Sequence, residues 1–367
     1  MSEGRDEVSV ATTGALYVIN KSSSDGEILC YQNLEKKRLI ASLRIHIPLE
    51  RLTLEWKGEE TCLLHQEGYL GPDATIRVNC DSVLSISSDR GVRATYTGQI
   101  IPKYMALHLG NFISTDQEGG IGAYPLGMTG VGIPQADVNF SEKDWQVTLS
   151  IAPHQRFLTS IFPPRPFNWE KSFRDRIVHH YSYEKPYPTD KELEEWSKYG
   201  NIMVLHETVW HGKQTRTGKV LKSIRDAYAD ASWNSFKFVP RNEAELRRVV
   251  ESSHRFGMRL IVYMSPYYFI GELEEYLKEM SWTVKKYQLD GVYFDGISPD
   301  VWQGYQTMRK FREIMEDKTL YVHEPTAIGS RYANPVPCPF IDTYADHTLK
   351  AEHVKTFDMK YLRYFIS

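Results

Sequence analysis

Asp290-Gly291-Val292-Tyr293-Phe294-Asp295-Gly296 reads as a short, buried-type strand that ends on a carboxylate and turns at a glycine. Upstream, Leu273 to Tyr287 carries helical periodicity, and downstream Val301 to Met315 does the same. A strand set between two helices needs parallel neighbours, and working outward supplies them. Arg259-Leu-Ile-Val-Tyr-Met264 precedes the first helix, and Leu320-Tyr-Val-His-Glu324 follows the second. Farther upstream lie Arg176-Ile-Val-His-His-Tyr181, a helix with Asp190 as N-cap, Asn201-Ile-Met-Val-Leu-His206, an irregular insertion from Thr208 to Pro240, and a helix Glu243–Arg255 capped by Asn242. Ile341-Asp-Thr-Tyr-Ala-Asp346 completes the series. Strands alternating with helices of about a dozen residues imply right-handed βαβ units and a parallel sheet.

The pattern changes at Phe162-Pro163-Pro164-Arg165-Pro166, where clustered prolines exclude a helix or a central strand. Before it the chain is β in character. Ala15–Ile19, Arg38–His46, Leu52–Trp56, Val83–Ser87, Val92–Tyr96 and Trp145–Ile151 are short and rich in β-branched or aromatic residues, with turn-forming clusters between them. The expected organisation is a multidomain β plus α/β chain: a β-sandwich over 1–162, a proline-rich linker over 163–175, and a (β/α) TIM-type barrel over 176–367. That barrel is expected to be incomplete, stopping after about six units where a full one takes about 250 residues. The sequence reads as a fragment or early-terminated form, with an atypical barrel or closure by a partner chain as the alternatives.

Composition narrows the function classes. At 367 residues and 41% hydrophobic, the chain can bury a large core, and its net charge of −3 comes without a basic block, which argues against nucleic acid. No apolar run approaches the roughly 20 residues that span a membrane, and Met1–Glu7 lacks a secretory h-region, so the expected location is cytoplasmic by default. Cys30, Cys62, Cys80 and Cys338 lack metal-type spacing and read as buried thiols. Gly119-Gly120-Ile121-Gly122 and Gly212-Lys213-Gln214-Thr215 depart from the phosphate-binding pattern and read as loops. No cofactor or metal is expected.

In a (β/α) barrel, chemistry gathers at the C-terminal strand ends. Those ends read His179/His180/Tyr181, His206/Glu207/Trp210, Ser265/Tyr267/Tyr268, Asp295, His323/Glu324 and Asp346/His347. Asp290 reads as a turn or cap residue and Asp300 as a helix cap. Asp295 and Glu324 leave adjacent strands, which run about 4.8 Å apart. Carboxyl groups roughly 5–5.5 Å apart serve retaining glycoside hydrolysis, and wider pairs serve inversion.

Tyr293-Phe294-Asp295-Gly296 with Glu324 resembles the α-amylase-like and endo-α-N-acetylgalactosaminidase-like hydrolases. The chain is also similar to the α-galactosidase and α-glucosidase superfamily over Arg176 to Thr348. The first resemblance implies Asp295 as nucleophile and Glu324 as acid/base on the fifth strand. The second implies a sixth-strand acid, the position of Asp346. Either implies a carbohydrate substrate. His206, Glu207, His323 and His347 are then candidate ligands for sugar hydroxyls, and Trp210, Tyr267 and Tyr268 candidate stacking surfaces. Two other readings stand beside this one. A metal-dependent hydrolase would use the strand-end histidines, but adjacent His179 and His180 point to opposite faces of a strand. A non-catalytic glycan-binding protein would use the same cleft without turnover.

Overall fold

The computed structural model describes the chain except for residues 1, 13, 23–24, 34–36, 47–51, 57–60, 69–70, 80–82, 88–90, 109–110, 127–135, 141–144, 152, 154–155, 163–172, 211–237, 267–271, 298–300, 316, 324–343 and 350–367. The chain divides into two compact units, the first built on Met1–Phe167 and the second on Asn168–Pro335 with Tyr344–Phe357.

The first unit is all β. In chain order its strands are Ser2–Glu3 (β1), Glu7–Ala11 (β2), Ala15–Asn20 (β3), Glu27–Asn33 (β4), Lys37–Ile45 (β5), Leu52–Trp56 (β6), Thr61–Gly68 (β7) and Gly71–Asn79 (β8). There follow Val83–Ser87 (β9), Val92–Gly98 (β10), Tyr104–His108 (β11), Asn111–Thr115 (β12), Gly120–Leu126 (β13), Ala136–Phe140 (β14), Trp145–Ile151 (β15) and Arg156–Phe162 (β16). They form two eight-stranded sheets, ordered β1-β2-β3-β4-β5-β10-β15-β14 and β11-β12-β13-β16-β9-β8-β7-β6. Pairing in both is antiparallel.

Inward side chains of the two sheets merge into one hydrophobic core, with Tyr17, Ile28, Tyr96 and Val147 from the first sheet and Ile86, Phe112, Ile121 and Ile161 from the second. The Tyr96 ring meets Phe112 edge-on at 4.8 Å, and its hydroxyl hydrogen-bonds Thr159 of the facing sheet. Buried Cys30 belongs to this core, and burial pushes its thiol well above the ordinary range. One expectation is corrected: Gly120 opens a strand rather than lying in a loop. A Cβ there would stand 2.0 Å from the Ser114 carbonyl, so glycine is what lets β13 approach β12. Gly212–Thr215 lies outside the described residues.

The second unit holds Ile177–His180 (β17), Ile202–Leu205 (β18), Arg259–Tyr263 (β19), Gly291–Asp295 (β20), Thr319–His323 (β21) and His347–Leu349 (β22). These six strands are parallel and adjacent in chain order, forming a curved sheet consistent with part of a barrel. Its helices are Asp190–Trp196 (α1), Glu243–Arg255 (α2), Leu273–Tyr287 (α3) and Val301–Ile314 (α4).

The four inner strands, β18 to β21, are buried on both faces, as parallel sheets require. Ile202, Val204, Ile261, Tyr263, Tyr293 and Tyr321 form the inner cluster, with Ile177 and Leu349 packed against it from the two outermost strands. Phe294 faces the other way, packing on Phe311 of α4 and Tyr276 of α3. Asn242 caps α2 through the Glu245 amide, as the sequence suggests. The cap of α1 is Thr189, not Asp190, because Thr189 and Glu192 close a reciprocal capping box. Asp190 instead pairs with Arg248 and Arg255.

Every second strand is entered by the same device. Asn201, Asp290 and Asp346 each stand one position before β18, β20 or β22. Each side chain accepts a backbone amide of the preceding segment: Arg176 at 2.7 Å, Leu260 at 2.7 Å and Leu320 at 2.8 Å. Each backbone N–H is in turn donated to the carbonyl of that same residue. His254 of α2 reaches Asp290 at 2.7 Å, and Arg312 of α4 reaches Asp346 at 2.6 Å. A short polar side chain here satisfies an amide at the strand entrance, and at β20 and β22 it also ties in the helix that precedes the neighbouring strand.

Candidate active site

Strand alternation decides which residues meet at the C-terminal rim. In β19, β20 and β21 the inward positions read Tyr263-x-Ser265, Tyr293-x-Asp295 and Tyr321-x-His323. The tyrosines make a floor, with Tyr293 stacked on Tyr321 at 4.9 Å and edge-on to Tyr263 at 5.8 Å. One level up, Asp295 stands with its side chain 28% exposed. Its Oδ1 lies 3.0 Å from His323 Nδ1, and Tyr263 Oη donates to Oδ2 at 3.4 Å. A carboxylate can only accept, so His323 Nδ1 carries the hydrogen in this contact. Gly296 follows at φ +81, the left-handed turn that frees the carboxylate from its strand.

His179 leaves β17 on the same inner face. Its Nδ1 lies 2.8 Å from His206 Nε2, and its Nε2 lies 3.4 Å from Tyr321 Oη. Burial, reinforced by the charges of His206 and His323 and opposed by Asp295, holds the His179 pKa down to about 4. The ring is therefore neutral near pH 7. His180 faces outward to the Lys185 carbonyl at 2.7 Å, as alternation requires. Behind His206, on the 3₁₀ turn Glu207–Val209, sits the buried carboxylate of Glu207. Tyr183 Oη donates to its Oε1 at 3.2 Å, and its Oε2 stands 3.6 Å from His206 Nδ1. Burial raises Tyr183, and pushes Tyr321 up to about 12, so both phenols remain protonated donors.

The candidates divide by position. Asp295, His323, His206 and Glu207 gather at the C-terminal rim. Trp210 does not offer a stacking face: it is buried, packs on Phe238, and donates Nε1–H to the Tyr263 carbonyl at 2.7 Å. Asp346 and His347 were expected at the exit of a sixth strand. They stand at its entrance instead, since β22 begins at His347. His347 Nε2 bonds Asp175 at 2.9 Å in a polar cluster with Arg259 and Asn201, and Asp346 is occupied by Arg312 and the Leu320 amide. Glu324, Tyr267 and Tyr268 lie outside the described residues, as does the Asp300 cap.

The sequence reading gave no role at the site to the tyrosine floor or to Tyr183, and saw His179 only as a strand-end histidine. The Tyr-x-polar repeat across three consecutive strands was the available signal. Among the described residues no group of three or more His, Cys, Asp or Glu is disposed to hold a metal ion. None of their helices is long and apolar enough to cross a membrane.

No family model and no curated protein matches the chain. Among solved structures, the chain is similar to a glycoside hydrolase family 97 enzyme, an R171K variant from Pseudoalteromonas sp. strain K8. That match has 10% identity and a TM-score of 0.34, over 87% of this chain and 66% of the other. A glucosidase II alpha subunit matches at 8% identity and a TM-score of 0.29, over 91% of this chain and 53% of the other. An uncharacterized protein from Listeria monocytogenes EGD-e matches at 8% identity and a TM-score of 0.34, over 86% of this chain and 44% of the other. The chain thus spans less than two thirds of the length of each of these proteins.

Proposed function

We propose that this chain is a glycoside hydrolase with an N-terminal β-sandwich and a barrel-type domain whose site lies at the C-terminal ends of the parallel strands. The carrying observation is Asp295: a partly exposed carboxylate at the end of β20, held on both oxygens by His323 and Tyr263 above an aromatic floor. Its role is to attack or electrostatically stabilise the anomeric centre. Glu324, next in sequence after His323, is the acid/base partner of a retaining, two-carboxylate mechanism. Asp346 is set aside as a rival acid, because its oxygens serve Arg312 and a strand amide. His323 remains as a hydrogen-bonding group for a carbohydrate hydroxyl, whereas His206 has Nε2 on His179 and Nδ1 toward Glu207.

A panel of aryl glycosides assayed with wild type and Asp295→Asn in parallel tests this reading. Wild type should release phenol from at least one sugar, and the variant should lose on the order of 10³-fold or more in kcat. Glycan binding with no hydrolysis by wild type would place the chain among non-catalytic binders.

A further inference from the structure

We propose that Glu207, His206 and His179 form a proton relay, which takes up a proton from the cleft at His179 Nε2 and stores it on His206 beside the Glu207 carboxylate. The relay deepens the hydrolase reading and rests on it for its chemical use.

The geometry permits two states and forbids a third. His179 Nδ1 and His206 Nε2 are 2.8 Å apart, so one hydrogen lies between them. Two imidazolium rings would set two N–H groups against each other, so the pair never carries two charges. Glu207 Oε2 is buried and hydrogen-bonded to no other group among the described residues, and it stands 3.6 Å from His206 Nδ1. That carboxylate faces the Nδ1 edge of the His206 ring, where a hydrogen on Nδ1 points at it.

With the pair neutral, His206 carries Nδ1–H and its Nε2 accepts from His179 Nδ1–H. His179 Nε2 then accepts from the Tyr321 hydroxyl at 3.4 Å. When a proton arrives at His179 Nε2, the Nδ1 proton passes to His206 Nε2. His206 becomes the imidazolium, and His179 is left neutral with its hydrogen on Nε2. One proton has entered and one charge has been stored, and the tautomer of His179 has reversed. The release runs backward through the same atoms.

The surroundings suit this use. His179 resists carrying the charge itself, because its ring is partly desolvated and faces His323 as well as His206. Among the described residues, Asp295 from β20 and His323 from β21 are the other charged or titratable groups facing the pair, together with Tyr263, Tyr293 and Tyr321 from the floor and Tyr181 and Tyr183 from the segment after β17. The turn carrying Glu207 is fixed: Tyr187 Oη and the Arg241 amide both donate to the Val209 carbonyl at 2.8 Å. Glu207 and His206 are thus positioning residues, acting through His179.

Imidazole ¹⁵N NMR on the full chain, as a function of pH, reads the tautomers directly and needs no turnover. His179 should change from Nδ1–H to Nε2–H in the same pH interval in which His206 becomes an imidazolium. In Glu207→Gln that change should move to lower pH by about one unit or more, and the alkaline limb of any hydrolysis profile should move with it. If Glu207→Gln does not fold, His206→Asn serves instead, and His179 should then show no coupled change. A His179 tautomer that stays constant while His206 titrates, or a transition unmoved by Glu207→Gln, would overturn the relay while leaving the assignment of Asp295 intact.

Discussion

Trp210 Nε1 donates to the Tyr263 carbonyl at 2.7 Å, and the ring is 2% exposed against Phe238. At the residue scale this makes Trp210 a support for the strand that carries Tyr263. Trp210→Ala should cost about 3–5 kcal/mol in a urea titration. Trp210→Phe keeps most of the packing and leaves a buried carbonyl without its donor, at about 1–3 kcal/mol. A Trp210→Phe protein with unchanged stability and a sharply weakened affinity for a glycan would return the residue to a binding role. Asp346 is likewise a structural residue, bonded to Arg312 and the Leu320 amide. Asp346→Asn should lose about 1–3 kcal/mol of stability, with turnover per folded molecule unchanged, because the side chain closes a strand entrance. A large fall in kcat with stability intact would restore it as an acid.

At the scale of elements, strand β20 and helices α2 and α3 were legible in the sequence, since each couples a clear period to a clear terminus. Gly291–Asp295 is buried up to its carboxylate, and Asn242 caps α2 where expected. Strand β4 was missed in the first unit because its half-buried positions include polar residues. Glu27-Ile-Leu-Cys-Tyr-Gln-Asn33 alternates buried and half-buried positions, yet begins and ends with residues typical of turns. The displaced sixth strand has a different cause. An aspartate flanking an apolar run reads alike at entrance and exit, and only the location of its amide partner tells them apart. Asp290 and Asp346 serve entrances and Asp295 an exit. The entrance device carries its own test: Asp290→Ala and Asp346→Ala should each destabilise the parallel-sheet unit, measured by denaturant midpoint, and should speed amide exchange at Leu260 and Leu320 respectively.

For the whole molecule, the partly desolvated ionisable groups of the parallel-sheet unit set how it responds to acid. His179 and His347 are both held below the ordinary histidine range, each by burial first. A histidine with a lowered folded pKa binds its proton more readily when unfolded, so its contribution is complete above an unfolded value of about 6.5. That contribution is lost as pH falls from there toward the folded value, about 4 for His179. Asp175 follows at lower pH. Burial alone would raise its pKa, but hydrogen bonds from Arg259 and Asn201, with the charges of Arg259 and His347, leave it lowered. Its contribution is present above an unfolded carboxylate value of about 4 and is lost as pH falls through the folded one. Hydrogen exchange followed from pH 7 to pH 3 should therefore show protection in β17–β22 declining in two stages. His179→Gln should diminish the first stage and Asp175→Asn the second. A decline unaffected by either substitution would contradict this account.

The central claim is that Asp295 is the carboxylate that acts on a sugar. Its most direct test is covalent trapping with a panel of activated 2-deoxy-2-fluoro glycosides, followed by peptide mass spectrometry. A glycosyl adduct on Asp295, absent from Asp295→Asn, is the result this account predicts. An adduct on another residue, or hydrolysis that survives intact in Asp295→Asn, would contradict it.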